Sequence, residues 1–518
     1  MVAGCWRVSD KVVRPSASKS RSVVLSECRK RNQREWNRGS GCEDQPNSVC
    51  LPDRIDSFLL KVVRRLSRGV SAAAPGTGAE ASITIRRIAA SGYIQTRASG
   101  FTHFPGFRIY FTVRENVHSP SPHMTTSLPP DNEISFIGRT SFRNEHVSFG
   151  IRQADRRAPV YIIGRTGTGK STLLEHLIRQ DLVAGRGLML LDPHGDLVER
   201  VLAHVPETRQ TDLIYFNVSD YEHPLAFNPL EPVSPARRSL AASGLLEVFR
   251  KNWPESWGPR LEHVLRHALL ALFEQKEATL VDVLRLLDDR GFRRRVAGET
   301  ENVQVREFWL GEYERYPERF RVEVIAPVQN KVGAFLADPL LCRILVRPRS
   351  AFRLRRVMDE GKILLVNLAK GRIGGDTAAL LGSLLLARAG LAALSRADVP
   401  EEERRDFHVY ADEFQNFTTL SLATMLSESR KYRLNLTLAH QYLSQLDPQV
   451  RDALLGNAGT IISFRLGVAD AELLAGEFAP VFTAADLVGL PNYSICVKLM
   501  IDGAVSPPFS AETLPSSA

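Results

Sequence analysis

The stretch Gly164–Thr172, GRTGTGKST, decides how this 518-residue chain is read. It fits the pattern G-x-x-x-x-G-K-[ST], in which glycines let successive backbone N–H groups turn inward around a phosphate chain. Lys170 adds a mobile positive charge, and the Ser171 hydroxyl can ligand Mg²⁺. Gly164, Arg165, Thr166, Gly167, Thr168, Gly169 and Thr172 complete the predicted nucleotide-binding set. Ordinary residue usage would produce such a pattern by chance in roughly 2% of chains this long, and the context lowers that further. Pro159–Ile163 (PVYII) reads as a short buried strand with Pro at its first position, and Ser171–Gln180 (STLLEHLIRQ) carries apolar residues at helical spacing. Strand, loop and helix in that order are the setting a phosphate-binding loop needs.

Working outward, 44% hydrophobic and 24% charged residues leave room for a large core and two or three domains. The longest apolar stretch, Thr377–Leu394, has Arg388 inside it and reads as a buried or half-buried helix, so no membrane span is expected. The net charge of +9 suggests a nucleic-acid binder until it is divided along the chain. Residues 1–123 hold 20 Lys/Arg against 9 Asp/Glu, whereas the remainder holds 47 against 49. Cys5, Cys28, Cys42 and Cys50 fall in that first segment, while Cys342 and Cys496 stand alone, so the core carries no disulfide framework and suits a reducing cytosol.

Residues 1–123 show little sustained periodicity and contain no Met after the first. Met124 opens MTTSLPPDNEISFIG, a short polar lead into a strand-like run, so the start of the folded protein is expected there. The upstream segment is then spurious sequence or a disordered tail. Its acidic residues argue against a transit peptide, its cysteine spacings of 23, 14 and 8 against a zinc module, and a basic DNA-binding arm is the physical alternative.

From residue 159 onward, strand-like runs recur between helical stretches, which predicts a mostly parallel sheet with ligands beyond the carboxyl ends of its strands. The predicted strands are Val160–Ile163, Gly187–Leu191, Leu213–Phe216, Lys362–Asn367, Phe407–Ala411, Leu434–Ala439, Thr460–Phe464 and Ile495–Met500. Phe407–Ala411 runs into Asp412, placed to hold Mg²⁺, and Glu413, placed to orient or deprotonate an attacking water. An acidic turn after a buried strand is the plain alternative. Gln441 follows Leu434–Ala439, where an amide could sense the γ-phosphate. Arg430 ends a predicted helix, Thr419–Arg430, where the dipole favours cations; the sharper reading is an arginine finger that reaches a neighbouring subunit's nucleotide. In LLDPHGD, Asp192 is expected near the nucleotide and His194 stays undecided.

Together the blocks GRTGTGKST, LMLLDPHGDLVERVL, WGPRLEHVLRHALLAL, QNKVGAFLADPLL, ILLVNLAKGRIG, VYADEFQNF and ESRKYRLNLTLAHQYLSQL resemble the HerA–FtsK group of P-loop ATPases. They are most similar to its branch of conjugative coupling proteins of type IV secretion, over roughly residues 130–505. The resemblance implies a RecA-like α/β P-loop NTPase with an inserted all-α subdomain, which forms a hexameric ring and moves DNA through its channel. It implies ATP and Mg²⁺ as cofactors, Lys170 and Ser171 at the phosphates, Asp412 and Glu413 as the Walker B pair, Arg430 as the finger in trans and Gln441 as the sensor. Arg465 is a second candidate for contact across the subunit boundary. The chain departs from membrane-bound members in lacking N-terminal transmembrane helices, which favours a cytoplasmic motor unless a partner supplies an anchor.

The expected organisation is a β segment over 124–157, the core's first half over 158–233, a helical insertion over 234–350, the core's second half over 351–505 and a tail over 506–518. In the insertion, Leu261, Val264, Leu265, Ala268, Leu269 and Leu272 form one apolar face. Arg290, Arg293, Arg294, Arg295, Arg315, Arg319 and Arg321 decorate it, either as a solvated face or for substrate entry. The leading functional expectation is an ATP-driven DNA translocase. Its rivals are a secretion component that recruits protein–DNA substrates and a slow regulatory nucleotide switch.

Overall fold

A computed structural model describes residues 131–141 and 146–514, with a few short strands between residues 5 and 115. The chain divides into two compact units, Met1–Thr126 and Ser127–Ala518. In the first, Ala81–Arg86 pairs antiparallel with Cys5–Trp6 and with Thr112–Glu115, pairing that the sequence reading did not foresee. The expected start at Met124 lies outside the described residues.

The second unit is built on one eleven-stranded sheet. Its strands in chain order are β1 (Ile134–Thr140), β2 (Ser148–Arg152), β3 (Val160–Ile163), β4 (Gly187–Asp192), β5 (Leu213–Asn217), β6 (Ile363–Asn367), β7 (Phe407–Ala411), β8 (Leu434–His440), β9 (Thr460–Ser463), β10 (Ser494–Lys498) and β11 (Phe509–Thr513). Across the sheet they run β5-β6-β4-β7-β8-β3-β9-β10-β11-β1-β2. The strands from β5 to β9 pair in parallel. Those from β9 to β2 pair antiparallel.

All eight predicted strands are present, but the last is shorter than expected. Lys498 ends β10, and Met500–Ile501 turns away to pair with Ala504–Val505. The stretch expected as a tail contributes β11, seated between β10 and β1. Five residues of weak alternation, FSAET, carry too little signal on their own; the partners on either side make them a strand.

Alternation along the central strands sends successive side chains to opposite faces. Tyr161, Ile163, Met189, Leu191, Leu364, Val366, Val409 and Leu436 face one buried cluster. Val160, Ile162, Leu188, Leu190, Ile363, Leu365 and Tyr410 face the other, with helices α1 (Lys170–Val183) and α2 (Asp196–Leu202) packed on them. The seven parallel strands are thus covered on both faces, the arrangement that near-continuous apolar runs require.

Between β5 and β6 the chain is helical, including α3 (Arg238–Asn252), α4 (Pro259–Leu272), α5 (Leu280–Asp288), α6 (Arg290–Glu299) and α7 (Glu318–Ala337). The six apolar residues predicted on α4 are all buried. They belong to the same buried cluster as one face of the sheet, so this insertion shares the core of the sheet rather than standing apart. Its arginines are not all a solvated face. Arg293 is buried, donates to the carbonyls of Leu286 and Leu287, and converges with Arg290 and Arg294 on Glu314.

Helix α8 (Gly375–Ser395) is long and apolar enough to cross a membrane by length and composition. It packs along α3 and buries Leu380, Leu381, Leu384, Leu385 and Ala389, as expected for the Thr377–Leu394 stretch.

Candidate active site

The phosphate-binding loop leaves β3 at Gly164 and enters α1 at Lys170, with Gly169 at φ +122° and Gly167 at φ +76°. Gly164 has no room for a side chain, since a Cβ there would stand 2.5 Å from the Cβ of Phe464 at the end of β9. The loop is pinned on both sides. Gly164 N–H donates to the His440 carbonyl on β8, and Arg165 N–H donates to the Arg465 carbonyl beyond β9, at 3.3 and 2.9 Å. Arg165, Thr166 and Gly167 form the exposed crest, while Thr168 is buried and donates its hydroxyl to the Arg165 carbonyl.

Lys170 is buried and folds back on the loop, with Nζ 2.6 Å from the Gly164 carbonyl oxygen and 3.2 Å from that of Arg165. Burial lowers its pKa, and the neighbouring Glu413 and Asp412 act against that shift. Ser171, one residue on, donates its hydroxyl to Asp412 Oδ2 at 2.9 Å.

Asp412 and Glu413 follow β7, which is separated from β3 by β8. This order sets Gln441, just past β8, between the acidic pair and the phosphate loop. Gln441 Nε2 donates to Glu413 Oε1 at 2.6 Å, and Thr166 Oγ1 on the loop crest donates to Gln441 Oε1 at 2.8 Å. Gln415 Nε2 donates to Glu413 Oε2 at 2.8 Å. Both carboxylate oxygens of Glu413 are therefore oriented. Its backbone sits in the left-handed region at φ +47°, a conformation that costs a non-glycine residue on the order of 1 kcal/mol and recurs at functional sites. Burial, then the charges of Glu413 and Asp192, pushes the Asp412 carboxyl up to about 6.

Asp192 lies near the site but is committed elsewhere. Its Oδ2 accepts from the N–H groups of Leu197 and Val198 at the start of α2, and its Oδ1 accepts from that of His194. It acts on the nucleotide region through its charge on Asp412, and His194 is exposed.

Arg430 is not brought to this site. The predicted helix ends at Glu428, and Arg430 sits exposed in the turn Ser429–Tyr432 that leads into β8. The seven residues of β8 separate it from Gln441, a span of about 20 Å. Arg465 does reach the loop, within the same subunit. Its guanidinium donates to the Leu490 carbonyl and the Asn492 side chain.

Several participants were not legible in the sequence. Lys251, at the end of α3, donates to the carbonyls of Gln415 and Asn416 at 3.1 and 2.6 Å, which ties the insertion to the loop that carries Glu413. Burial lowers its pKa to about 7. Only proximity across 164 residues reveals it. Gln415 stands two residues from Glu413, and that spacing alone could have flagged it. His440 ends β8 with its ring 2.6 Å from the Tyr161 hydroxyl, and burial, aided by Lys170, drops its pKa to about 3, so it stays neutral beside the loop.

Among the described residues no group of three or more His, Cys, Asp or Glu is arranged to hold a metal ion. Ser171 and Asp412 nonetheless form a pair of hard oxygen donors beside the phosphate loop.

Comparison with known proteins bears on the fold and the family. No curated protein matches the chain. Among solved structures, the plasmid coupling protein TrwB in complex with a non-hydrolysable GTP analogue is similar at 17% identity and a TM-score of 0.50, over 70% of this chain and 87% of that one. TrwB in complex with ADP and Mg²⁺ is similar at 17% identity and 0.50, over 74% and 95%. VirB4 of Thermoanaerobacter pseudethanolicus is similar at 16% identity and 0.50, over 75% and 98%. At these identities the likeness establishes the fold, a RecA-like P-loop NTPase. The family model described as the type IV secretion-system coupling protein DNA-binding domain matches residues 145–475, so the chain belongs to that family.

Proposed function

We propose that this protein is an ATP-driven DNA-transfer motor that hydrolyses ATP with Mg²⁺ and works as a hexameric ring. The hydrogen-bonded chain Thr166–Gln441–Glu413–Gln415 carries the reading, because it joins the loop that would grip the triphosphate to an oriented carboxylate. A site built only to hold nucleotide needs no such chain, which disfavours a slow regulatory switch.

In this reading Lys170 leaves the Gly164 and Arg165 carbonyls for phosphate oxygens, and the backbone N–H groups of the loop meet the rest of the chain. Ser171 and Asp412 would hold Mg²⁺, with phosphate and water completing its shell, as suits a cation that keeps few protein ligands. The ion would neutralise charge on the phosphates. Glu413 orients a water for in-line attack on the γ-phosphate and takes its proton. Gln441, bonded to both Thr166 and Glu413, reports whether the γ-phosphate is present. Arg430 is exposed at the far end of β8 from Gln441, which suits a role in trans at the site of an adjacent subunit.

The family's description, a DNA-binding domain of type IV secretion-system coupling proteins, supports DNA as the substrate. Recruitment of a protein–DNA substrate to a secretion channel is the alternative that the same family membership favours. The test is the ATPase rate of the full chain with and without single- and double-stranded DNA, alongside its mass in solution. DNA-stimulated turnover by a hexamer, abolished by Lys170→Ala and reduced about 10³-fold by Arg430→Ala, is the expected result. A monomer whose turnover ignores DNA would overturn it.

A further inference from the structure

The phosphate loop has two flanks, and only one is used by the chemistry above. Glu413 and Gln441 stand on the β7–β8 flank, which fixes where the γ end of a triphosphate would lie. A triphosphate is a linear chain, so its nucleoside end must leave on the other flank, past β9 and towards β10. Three side chains wait there: Arg465, Asn492 and Tyr493.

Tyr493 has the features of a built platform rather than a packing residue. Its N–H donates to the Thr168 carbonyl of the phosphate loop at 2.9 Å, and its own carbonyl accepts from Thr513 N–H on β11, also at 2.9 Å. These bonds hold its backbone at φ +65°, a region that bulky side chains rarely adopt. One edge of the ring lies against the loop, since a Cβ on Gly169 would stand 2.9 Å from its Cδ1. Yet the residue is 52% exposed, so a large aromatic surface is left open beside the helix N-terminus. Beside it, Arg465 donates to Asn492 Oδ1 at 2.8 Å and to the Leu490 carbonyl at 3.3 Å, a polar rim with the donors to meet a ribose or base edge.

We infer that Tyr493 is the stacking platform for the nucleobase, with Arg465 and Asn492 as its polar rim. The inference rests on the nucleotide reading proposed above. An aromatic face recognises the π surface of a base and not its exocyclic groups, so purine nucleotides of either kind are accepted.

The test separates base from phosphate by using inorganic tripolyphosphate as a ligand without a base. Binding of ATP and of tripolyphosphate to the full chain is measured by calorimetry for the native protein, Tyr493→Phe, Tyr493→Asn and Lys170→Ala. Asparagine tolerates the left-handed backbone, so Tyr493→Asn removes the ring without straining the turn. The expected result is about tenfold weaker ATP binding by Tyr493→Asn with tripolyphosphate binding unchanged, and native affinity for both ligands in Tyr493→Phe. ATP binding unchanged in Tyr493→Asn, or an equal loss of both ligands, would overturn the inference. Lys170→Ala is expected to lose both ligands; if it does while Tyr493→Asn loses neither, the platform alone falls. If the native protein binds neither ligand, the proposed function falls with it.

Discussion

Two buried charge clusters meet on β7, and they differ in one respect. Towards the amino end, Asp181 on α1 accepts two hydrogen bonds from Arg156, at 2.6 and 2.9 Å, and another from Arg186 at 2.7 Å, with Tyr410 and His408 packed around it. The guanidinium groups hold the Asp181 carboxyl far below its ordinary range despite complete burial, while burial drives His408 down to about 3. Towards the carboxyl end, Asp412 is almost as deeply buried but faces Glu413 and Asp192, with Lys170 turned to the loop carbonyls, and its carboxyl rises to about 6. Burial is common to both clusters; compensation is not. The first joins Ser135, Arg156, α1 and β7 into one network, and the second is left short of positive charge, which is what the cation and phosphate site proposed above requires.

The sharpest way to break this contrast is at Glu413. Glu413→Gln keeps the shape and one acceptor for Gln441 but removes the base, so steady-state ATPase assays should find turnover reduced about 10²- to 10⁴-fold with ATP binding retained. Retained turnover would return the acidic pair to an ordinary strand-end turn.

Asp181→Ala should act on folding instead. It leaves two guanidinium groups buried without their shared carboxylate, an expected loss of about 3–5 kcal/mol in denaturant unfolding. A loss under about 1 kcal/mol would mean that water reaches the cluster.

Asp412→Asn should do the opposite. The folded protein holds the Asp412 proton more tightly than the unfolded chain does, so ionising it costs stability. That cost is absent below about pH 4, grows as pH rises and is full above about pH 6. Without Mg²⁺ and nucleotide, Asp412→Asn should therefore be more stable by up to about 3 kcal/mol at pH 7, and no different near pH 4. Asp181, with its carboxyl depressed, has the reverse slope, since its stabilisation is present above about pH 4 and lost as pH falls further. Thermal melts of both variants from about pH 2 to 8 would show the two clusters diverging, and parallel profiles would erase the distinction.

Much of the site was legible because its parts are local. Gly164 to Thr172 and Asp412–Glu413 each sit within a few residues of a strand end, where strand periodicity and the chemistry of adjacent side chains can be read together. Gln441 was legible for the same reason. Asp192 was expected near the site and its charge acts on Asp412, but its oxygens are taken by backbone N–H groups of the next helix, and no spacing rule shows which donor a carboxylate meets. Arg293 looked like solvated charge in an arginine-rich helix, yet Glu314 and two carbonyls bury it. Lys251 and Tyr493 carry no motif, since each acts on a partner more than 160 residues away.

The sequence by itself located the loop Gly164–Thr172, the acidic pair Asp412–Glu413, Gln441 just past its strand and the eight strands, because each is a pattern of near neighbours under the 2.0 or 3.6 residue period. Only the tertiary structure decided that β8 lies between β3 and β7, which brings Thr166, Gln441 and Glu413 into one hydrogen-bonded chain. It also decided that β11 closes onto β10 and that Arg430 sits exposed in the turn before β8, at the opposite end of that strand from Gln441. Strand order and edge pairing depend on which faces are buried together, and that is a property of the assembled core rather than of any one segment.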